Sequence, residues 1–303
     1  YLDDDAWPDR HWLRHLAHTF MKSDHAVVGG PNILPAGSSL IAQCVDNSPG
    51  GPVHVLLDDE HAEHVPGCNM AFRKSRLEAI GGFDATFRVA GDDVDVCWRI
   101  EERGWTIGFS PAAMVWHRSR DTIGAYWRQQ RGYGRAEALL ERKWPEKYNA
   151  LAHAKWRGHI YGRGLTHLLG GTGRIYHGLW GSAPFQTLHK PRPHLFNLLP
   201  TMPEWFFVVA ALALLSALGL VWPDLLWSLP LLGAAVAISF LQAFQSAFDG
   251  VYESATQSMQ IRWQIWGTTA LLHLLQPLAR LYGRLSYGLM PGRSPLPAEP
   301  AWP

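Results

Sequence analysis

Residues 205–248 are almost free of charge, and this stretch limits the possible folds of the chain more than any other feature. Its only Asp, Glu, Lys or Arg is Asp224, which separates two apolar runs. At about 1.5 Å per residue, each run is long enough to cross most of a hydrocarbon core about 30 Å thick. We therefore expect a transmembrane helical hairpin over 204–250, whereas the preceding part of the chain has the composition of a soluble protein.

Basic residues flank this hairpin on both sides, at Lys190, Arg192, Arg262, Arg280 and Arg284. Because positively charged flanks stay in the cytoplasm, we expect a multi-pass protein of the cell membrane whose preceding domain is cytoplasmic. The basic and aromatic residues 151–203 would form a connector against the membrane lipids. Residues 251–303 would form an interfacial amphipathic helix over 264–290, or a third span, followed by a Pro-rich tail.

The net charge of +1 averages two segments of opposite character. Residues 1–66 contain ten Asp and Glu against three Lys and Arg, and residues 118–163 contain eleven Lys and Arg against four Asp and Glu. An acidic part suits a cation, and a basic part suits phosphate or anionic lipid. Two solvated surfaces of different charge are the alternative. We expect no nucleic-acid partner.

The first 150 residues alternate between helical and extended patterns, which predicts an α/β domain over 1–150. Residues 31–66 are weakly patterned, and their stretch Asp58–His64 is either a solvated loop or a second metal site. The predicted helices span 8–21, 74–80, 92–103 and 136–143, and the predicted strands span 26–30, 65–72, 105–109 and 113–116.

Three carboxylates, Asp92, Asp93 and Asp95, lie within four positions at a predicted helix start. Asp92 suits an N-cap, with Asp95 as its capping partner three residues on. Capping does not explain Asp93. Backbone amides orient a carboxylate just inside a helix start and favour its anionic form, so Asp93 could take the proton from an attacking hydroxyl. Asp93 is the candidate general base. Its neighbour Asp92 is a second candidate catalytic residue and a candidate contact to the substrate.

A second acidic run opens the chain, where Tyr1-Leu2 has the character of a strand end. In extended backbone, Asp3 and Asp5 point the same way. Two hard oxygen donors can bind Mg²⁺ or Mn²⁺ and leave coordination positions open for a substrate diphosphate. Taken alone, an aspartate run at a terminus is also typical of a solvated loop.

These acidic groups occur together with three other motifs: Gly67-Cys68-Asn69, Gly81-Gly82-Phe83-Asp84 and Val115-Trp116-His117. Over residues 1–150 the combination resembles the acceptor-side half of the family 2 glycosyltransferases. The resemblance implies a partial GT-A fold, followed here by transmembrane helices. It implies an enzyme that transfers a sugar, with inversion, from a nucleotide-diphospho-sugar to a hydroxyl of a saccharide or lipid-linked acceptor. Asp3 and Asp5 would be its D-x-D motif, and His117 a third ligand to a divalent cation, Mn²⁺ or Mg²⁺.

The basic and aromatic stretch 126–134 partly matches the Gln-x-x-Arg-Trp motif of processive relatives, which lies over acceptor and diphosphate. By this resemblance Arg128 and Arg131 would contact the donor phosphates, and Gln130 and Tyr133 the substrate. An amphipathic helix packed beneath the sheet is the alternative, and the incomplete motif argues against processive polymer synthesis. Asn69 would contact substrate or, alternatively, bond to a neighbouring loop.

The chain has no initiator Met, and in this fold the nucleotide is held largely by strands that precede the D-x-D motif. We therefore expect an amino-terminal truncation and weak donor binding. Two other function classes stay open. One is an inactive membrane-anchored remnant that acts as a scaffold, and the other is a metal-dependent hydrolase that uses the acidic cluster with His117.

Overall fold

The computed structural model describes residues 1–149, 152–160, 202–253 and 258–290. Most of the predicted connector and the whole predicted Pro-rich tail therefore lie outside the described residues. The strands are β1 (Ala6–Pro8), β2 (Val27–Gly29), β3 (Asn32–Ile33), β4 (Val55–Leu56), β5 (His61–His64), β6 (Met70–Phe72), β7 (Ile107–Phe109), β8 (Val115–His117) and β9 (His159–Ile160). The helices are α1 (Trp12–Lys22), α2 (Leu40–Asp46), α3 (Lys74–Ala79), α4 (Asp92–Glu102), α5 (Ile123–Lys143), α6 (Trp205–Leu218), α7 (Ser228–Phe248) and α8 (Met259–Ser286).

The strands form a six-stranded sheet in the order β6-β2-β7-β5-β4-β9 and a three-stranded sheet in the order β1-β8-β3. The pairs β2/β7 and β3/β8 are parallel, and the others are antiparallel. Strand β2 lies inside the larger sheet between β6 and β7, and its residues Val27 and Val28 are fully buried. The α/β class is confirmed, and the mixed architecture is consistent with a GT-A-like domain.

The opening residues are held between the two sheets. The amino group of Tyr1 donates to the Met70 carbonyl at 2.6 Å, and Leu2 forms a bridge to Asn69. Four residues after Leu2 the chain enters β1, where Ala6 pairs with His117 of β8. The acidic run thus crosses from one sheet to the other as an ordered segment.

The start of α4 differs from the prediction. The N-cap is Gly91, with φ of 89°, and Asp92 is the first helical residue, so the predicted capping box of Asp92 and Asp95 is wrong. Glycine occupies the cap because the chain turns through a left-handed conformation that costs other residues energy. Asp95 is fully buried and forms ion pairs with Arg99 at 2.8 Å and Lys143 at 2.7 Å.

Residues 31–66 are more regular than their pattern predicts. They contain β3, helix α2 and the antiparallel pair β4/β5. Ser39 caps α2 by accepting a hydrogen bond from the Ala42 amide at 3.1 Å. Strands of two to four residues carry too few side chains to show an alternating pattern, so neighbouring strands rather than local sequence identify them.

Helix α5 is continuous over 21 residues, which joins the predicted helix 136–143 to the basic and aromatic stretch before it. Thr122 caps its start by accepting from the Ala125 amide at 3.2 Å. Tyr126 is buried on this helix and donates to the Pro49 carbonyl at 2.7 Å. Residues 126–134 are therefore helical, as in the alternative, but this helix packs mainly against α8 and not beneath the sheet.

Helix α8 packs against α5, whereas the sequence predicts an interfacial helix at the membrane surface. Ten of its residues are buried, including Ile265, Leu272 and Arg284. Two glycines allow close approach: a Cβ on Gly134 would lie 2.2 Å from the Arg280 carbonyl oxygen, and a Cβ on Gly283 would lie 2.2 Å from that of Arg131. The amphipathic face of α8 is thus covered by protein.

One helical stretch among the described residues, Pro223–Phe248, is long and apolar enough to cross a membrane. Trp205–Leu218 is apolar but shorter. The described residues thus contain one candidate span, and the second span of the predicted hairpin stays a prediction.

We expect Gly283→Ala to destabilise the protein by about 1–3 kcal/mol, because the new methyl group would meet the backbone of α5. The matched control is Gly267→Ala in the same helix, where an added Cβ has no neighbour within 4 Å. This control should be neutral or stabilising by up to about 1 kcal/mol, since alanine favours helix. Thermal unfolding followed by circular dichroism measures both, and equal effects would contradict close α5/α8 packing.

Candidate functional site

A cavity of about 780 Å³ lies between α4, α5, α8 and the edges of both sheets. Asp3, Asp92, Asp93 and His117 all line it. These groups come from the chain start, the start of α4 and the end of β8. The folded chain therefore brings the predicted acidic residues and the predicted imidazole to one place.

Asp3, Asp5 and His117 form a compact group in which one ligand atom from each residue lies within 4.8 Å of the others. His117 Nε2 lies 3.2 Å from an Asp5 carboxylate oxygen and 3.8 Å from one of Asp3. The pairing of Ala6 with His117 accounts for this proximity, because it places Asp5 beside the imidazole. Arg120 donates to the other Asp5 oxygen at 2.9 Å.

The electrostatics of this group suit a cation. Burial raises the pKa of Asp3, and the nearby charges of Asp5 and Asp93 act in the same direction against the opposing effect of His117. Carboxylate oxygens and an imidazole nitrogen form a donor set acceptable to Mn²⁺. These residues therefore fit a divalent cation, which would relieve the crowding of negative charge.

Asp93 is held by three groups around its carboxylate. Its Oδ1 accepts from the Val94 amide at 2.8 Å, and its Oδ2 accepts from the Gly67 amide at 3.1 Å. His64 Nε2 lies 3.4 Å from Oδ2. Burial opposes ionisation of Asp93, but His64 and the two amides outweigh it and lower its pKa below the ordinary value.

Asp92 has the opposite protonation behaviour. Burial, and then the negative charge of Asp93, raises its pKa to about 6. Adjacent carboxylates with pKa values pushed apart are characteristic of acid and base pairs in active sites. Near neutral pH, Asp93 is the firmly ionised member of the pair.

His64 is a site residue that the sequence analysis missed. It is buried at the end of β5 and lines the cavity beside Asp93. The one available signal is its position three residues before Gly67, which opens the Gly-Cys-Asn motif. In the same stretch, Asp58 and His61 form an exposed pair at 2.9 Å, whereas Glu63 is buried and accepts from the Arg157 and Gly158 amides.

The four predicted contacts on α5 divide into two groups. Arg128 and Tyr133 line the cavity. Arg131 lies outside its lining, with its guanidinium 5.9 Å from the Tyr282 ring centre. Gln130 is fully buried and donates to the Gly50 carbonyl at 3.0 Å. The helical repeat explains this division, since residues on opposite faces of α5 meet different surroundings.

Asn69 is fully buried and lies outside the cavity lining. Its amide nitrogen donates to the Ala113 carbonyl at 2.8 Å, and its oxygen accepts from the Trp12 indole at 2.8 Å. These bonds tie the strand to neighbouring loops, which corresponds to the structural alternative for this residue.

Charged residues of α5 and α8 also line the cavity: Glu137, Arg280 and Arg284. Arg280 lies 3.1 Å from one oxygen of Glu137, and Arg284 lies 2.5 Å from the other. Burial opposes ionisation of Glu137, but the two guanidinium groups lower its pKa to about 2. The carboxy-terminal helix thus contributes to the cavity wall, which the sequence analysis does not anticipate.

The family model described as glycosyl transferase family group 2 matches residues 1–241 of this chain. Among curated proteins, the chain is similar to the pre-mycofactocin glycosyltransferase of Mycobacterium tuberculosis, with 31% identity over 153 residues, 48% of this chain and 32% of the relative. It is also similar to the probable glycosyltransferase YdaM of Bacillus subtilis, with 31% identity over 161 residues, 49% of this chain and 36% of the relative.

A shorter similarity connects the chain to the poly-beta-1,6-N-acetyl-D-glucosamine synthase of Staphylococcus aureus, with 30% identity over 66 residues, 22% of this chain and 16% of the relative. The chain thus spans about a third or less of the length of these relatives. Since the family model matches well over half of its residues, this chain belongs to glycosyl transferase family group 2, a family of enzymes.

Proposed function

We propose that this protein transfers a sugar, with inversion, from a nucleotide-diphospho-sugar to a hydroxyl of a saccharide or lipid-linked acceptor at the cytoplasmic face of a membrane. Family membership supports glycosyl transfer as the reaction class. The observation that supports the finer proposal is the convergence on one cavity of Asp93 with Asp3 and His117. A base and a cation site beside each other are what such a displacement requires.

Asp93 is the proposed general base. The amides of Gly67 and Val94 hold its carboxylate as an anion at the cavity wall. It takes the proton of the acceptor hydroxyl while that oxygen forms a bond to the anomeric carbon. The bond from the anomeric carbon to the diphosphate breaks on the opposite face, and the electron pair leaves with the diphosphate. One displacement without a covalent intermediate inverts the anomeric configuration.

Asp3, Asp5 and His117 are the proposed ligands of Mn²⁺ or Mg²⁺, and they fit such an ion by their donor atoms and spacing. When bound, the cation supplies positive charge for the departing diphosphate. Arg128 adds an exposed guanidinium on the cavity wall that could pair with phosphate. Arg131, on another side of α5, is not part of this proposal.

Membrane attachment is proposed from the apolar helical stretch Pro223–Phe248. It would keep the cavity close to a lipid surface, which suits a lipid-linked acceptor. Repeated addition to a polymer is not proposed. The relative named as a polymer synthase matches only 22% of the chain, and Gln130 of the incomplete Gln-x-x-Arg-Trp motif lies outside the cavity lining.

We expect Asp93→Asn to lower the rate of sugar transfer by about 10²- to 10⁴-fold, because the acceptor hydroxyl loses its base. The chain is incubated with Mn²⁺, a panel of UDP- and GDP-sugars and a membrane lipid extract, and sugar attached to acceptor is counted. The control Asp121→Asn removes an exposed carboxylate outside the cavity lining and should retain activity.

Two results would contradict the proposal. Transfer that persists in Asp93→Asn would exclude this carboxylate as the base. Release of free sugar at a rate independent of acceptor would instead favour the metal-dependent hydrolase.

We expect Mn²⁺ to raise the Tm of the protein, because an ion that binds only the folded state stabilises it by about 2.7 kcal/mol at one hundred times its Kd. Asp5→Asn should abolish this increase, and the matched control Asp4→Asn should keep it, since Asp4 is not in the ligand group. Differential scanning fluorimetry with and without EDTA measures the effect. An equal response of both variants would rule out the proposed ligands.

The raised pKa of Asp92 predicts a pH-dependent stability. Between pH 4 and about pH 6 the folded state binds a proton that the unfolded state has lost, so stability falls as pH rises through this range. Asp92→Asn should therefore raise Tm by a few degrees at pH 7.5 and change it little at pH 4, with EDTA present.

The control for this measurement has the opposite sign. Although burial opposes ionisation of Asp84, Lys143 and Thr86 lower its pKa to about 2. Its stabilising effect is present above pH 4 and is lost as pH falls through about 2. Asp84→Asn should therefore destabilise the protein at pH 7.5. If Asp92→Asn also destabilises the protein at pH 7.5, the pKa of Asp92 is not raised by burial and by Asp93.

A further inference from the structure

We propose that His64, as a doubly protonated imidazolium, is a positioning residue that holds the Asp93 carboxylate for glycosyl transfer. This inference rests on the proposed role of Asp93 and adds a residue that no motif of the chain indicates. In this role His64 fixes the orientation of the Asp93 carboxylate and so determines which of its oxygens receives the acceptor proton.

A backbone carbonyl fixes the tautomer of His64. Its Nδ1 lies 3.1 Å from the Val53 carbonyl oxygen. A carbonyl oxygen only accepts hydrogen bonds, so Nδ1 carries a hydrogen. The ring is therefore fixed by the backbone just before β4, and its other nitrogen, Nε2, faces Asp93 Oδ2 at 3.4 Å.

One more proton lies between His64 Nε2 and the Asp93 carboxylate. A neutral imidazole with hydrogen on Nδ1 has a lone pair on Nε2. That lone pair would face a carboxylate oxygen, and both groups are shielded from water, with 6% of the His64 side chain and 23% of the Asp93 side chain exposed. Two facing lone pairs in such surroundings repel each other, so a proton lies between them.

This proton belongs to His64 and not to Asp93. Both oxygens of Asp93 already accept backbone amide hydrogens, from Val94 and from Gly67, and such bonds favour the anion. Asp92 and Asp3 add negative charge nearby, which a cationic ring offsets. The proton on Nε2 makes His64 the cationic partner of an anionic Asp93.

The surroundings of His64 contain no described side chain that would compete for this role. Trp156 covers the imidazole, with ring centres 5.7 Å apart. His54 is a titratable group that interacts with His64, and burial lowers the pKa of His54 to about 4 while its Nε2 lies 2.8 Å from the Gly30 carbonyl oxygen. His54 is therefore neutral near pH 7.

The arrangement distinguishes the two oxygens of the base. Oδ2 accepts from the Gly67 amide and faces His64 Nε2 at 3.4 Å, so the proposed proton on Nε2 would occupy its second lone pair. Oδ1 accepts from Val94 alone among the described hydrogen bonds. Oδ1 is thus the atom with a free lone pair for the acceptor proton, and His64 keeps the carboxylate from rotating away.

Nitrogen NMR of the protein labelled with ¹⁵N in its histidine rings tests the protonation directly at pH 7 and needs no substrate. The His64 signals are assigned by their loss in His64→Gln. We expect both ring nitrogens of His64 to carry hydrogen in the wild type, and Nδ1 alone in Asp93→Asn. A His64 ring with an unprotonated Nε2 in the wild type would overturn the proposal.

Two substitutions separate the two bonds of the ring in the transfer assay. His64→Gln places an amide donor near the position of Nε2, and His64→Asn places one near Nδ1, where it reaches Val53 but not Asp93. We expect His64→Asn to lower kcat roughly 10- to 100-fold with little change in KM, as for loss of a bond to a charged group. His64→Gln should stay within about fivefold of wild type.

The double variant provides the coupling. In the Asp93→Asn background, His64→Asn should lower kcat by less than twofold, since its partner is already gone. Equal losses in His64→Asn and His64→Gln, at unchanged Tm, would refute the positioning role. If Asp93→Asn keeps full transfer, the proposed function itself fails. If Asp93→Asn loses transfer but His64→Asn does not, only this inference fails.

Discussion

The pairing of β1 with β8 is the contact on which the site depends. Ala6 lies opposite His117 in this short antiparallel pair, and the Asp5 carbonyl accepts from the Arg118 amide at 3.0 Å. These backbone bonds hold the acidic run against the end of β8 although 112 positions separate Asp5 from His117. Without the pairing, the carboxylates would belong to a solvated terminus and the imidazole to an unrelated strand end.

Negative charge is concentrated on one side of the cavity, and the structure manages it by giving each carboxylate a different partner. Asp5 has Arg120, Asp93 has His64 and two amides, and Asp92 retains its proton up to about pH 6. Like charges in a poorly solvated place cannot all ionise at low cost. The result is one firmly ionised carboxylate beside one that titrates near neutrality, next to a group that fits a cation.

The close crossing of α5 and α8 joins the carboxy-terminal part of the chain to this cavity. Gly134 and Gly283 let the two backbones approach, and Arg280 and Arg284 then reach Glu137 in the cavity wall. Removing one partner of such a buried ion pair destabilises a protein by more than the intact pair stabilises it. The shape of the cavity therefore depends on how α8 packs on α5, and α8 in turn lies near the apolar stretch Pro223–Phe248.

The motifs could be found in the linear chain because they are local: the helix that begins at Asp92, the strand that ends at His117 and the uncharged stretch each need only neighbouring residues to be recognised. The pairing of His64 with Asp93, the burial of Asn69 and Gln130, and the packing of α8 could not, because a side chain meets these partners only after distant segments have come together. Amphipathic pattern shows that α8 has an apolar face, yet it is equally satisfied by lipid or by another helix. In the same way, a carboxylate near a helix start can cap it or face a cavity, and the left-handed turn at Gly91 is what leaves the cap to glycine and places Asp93 against His64.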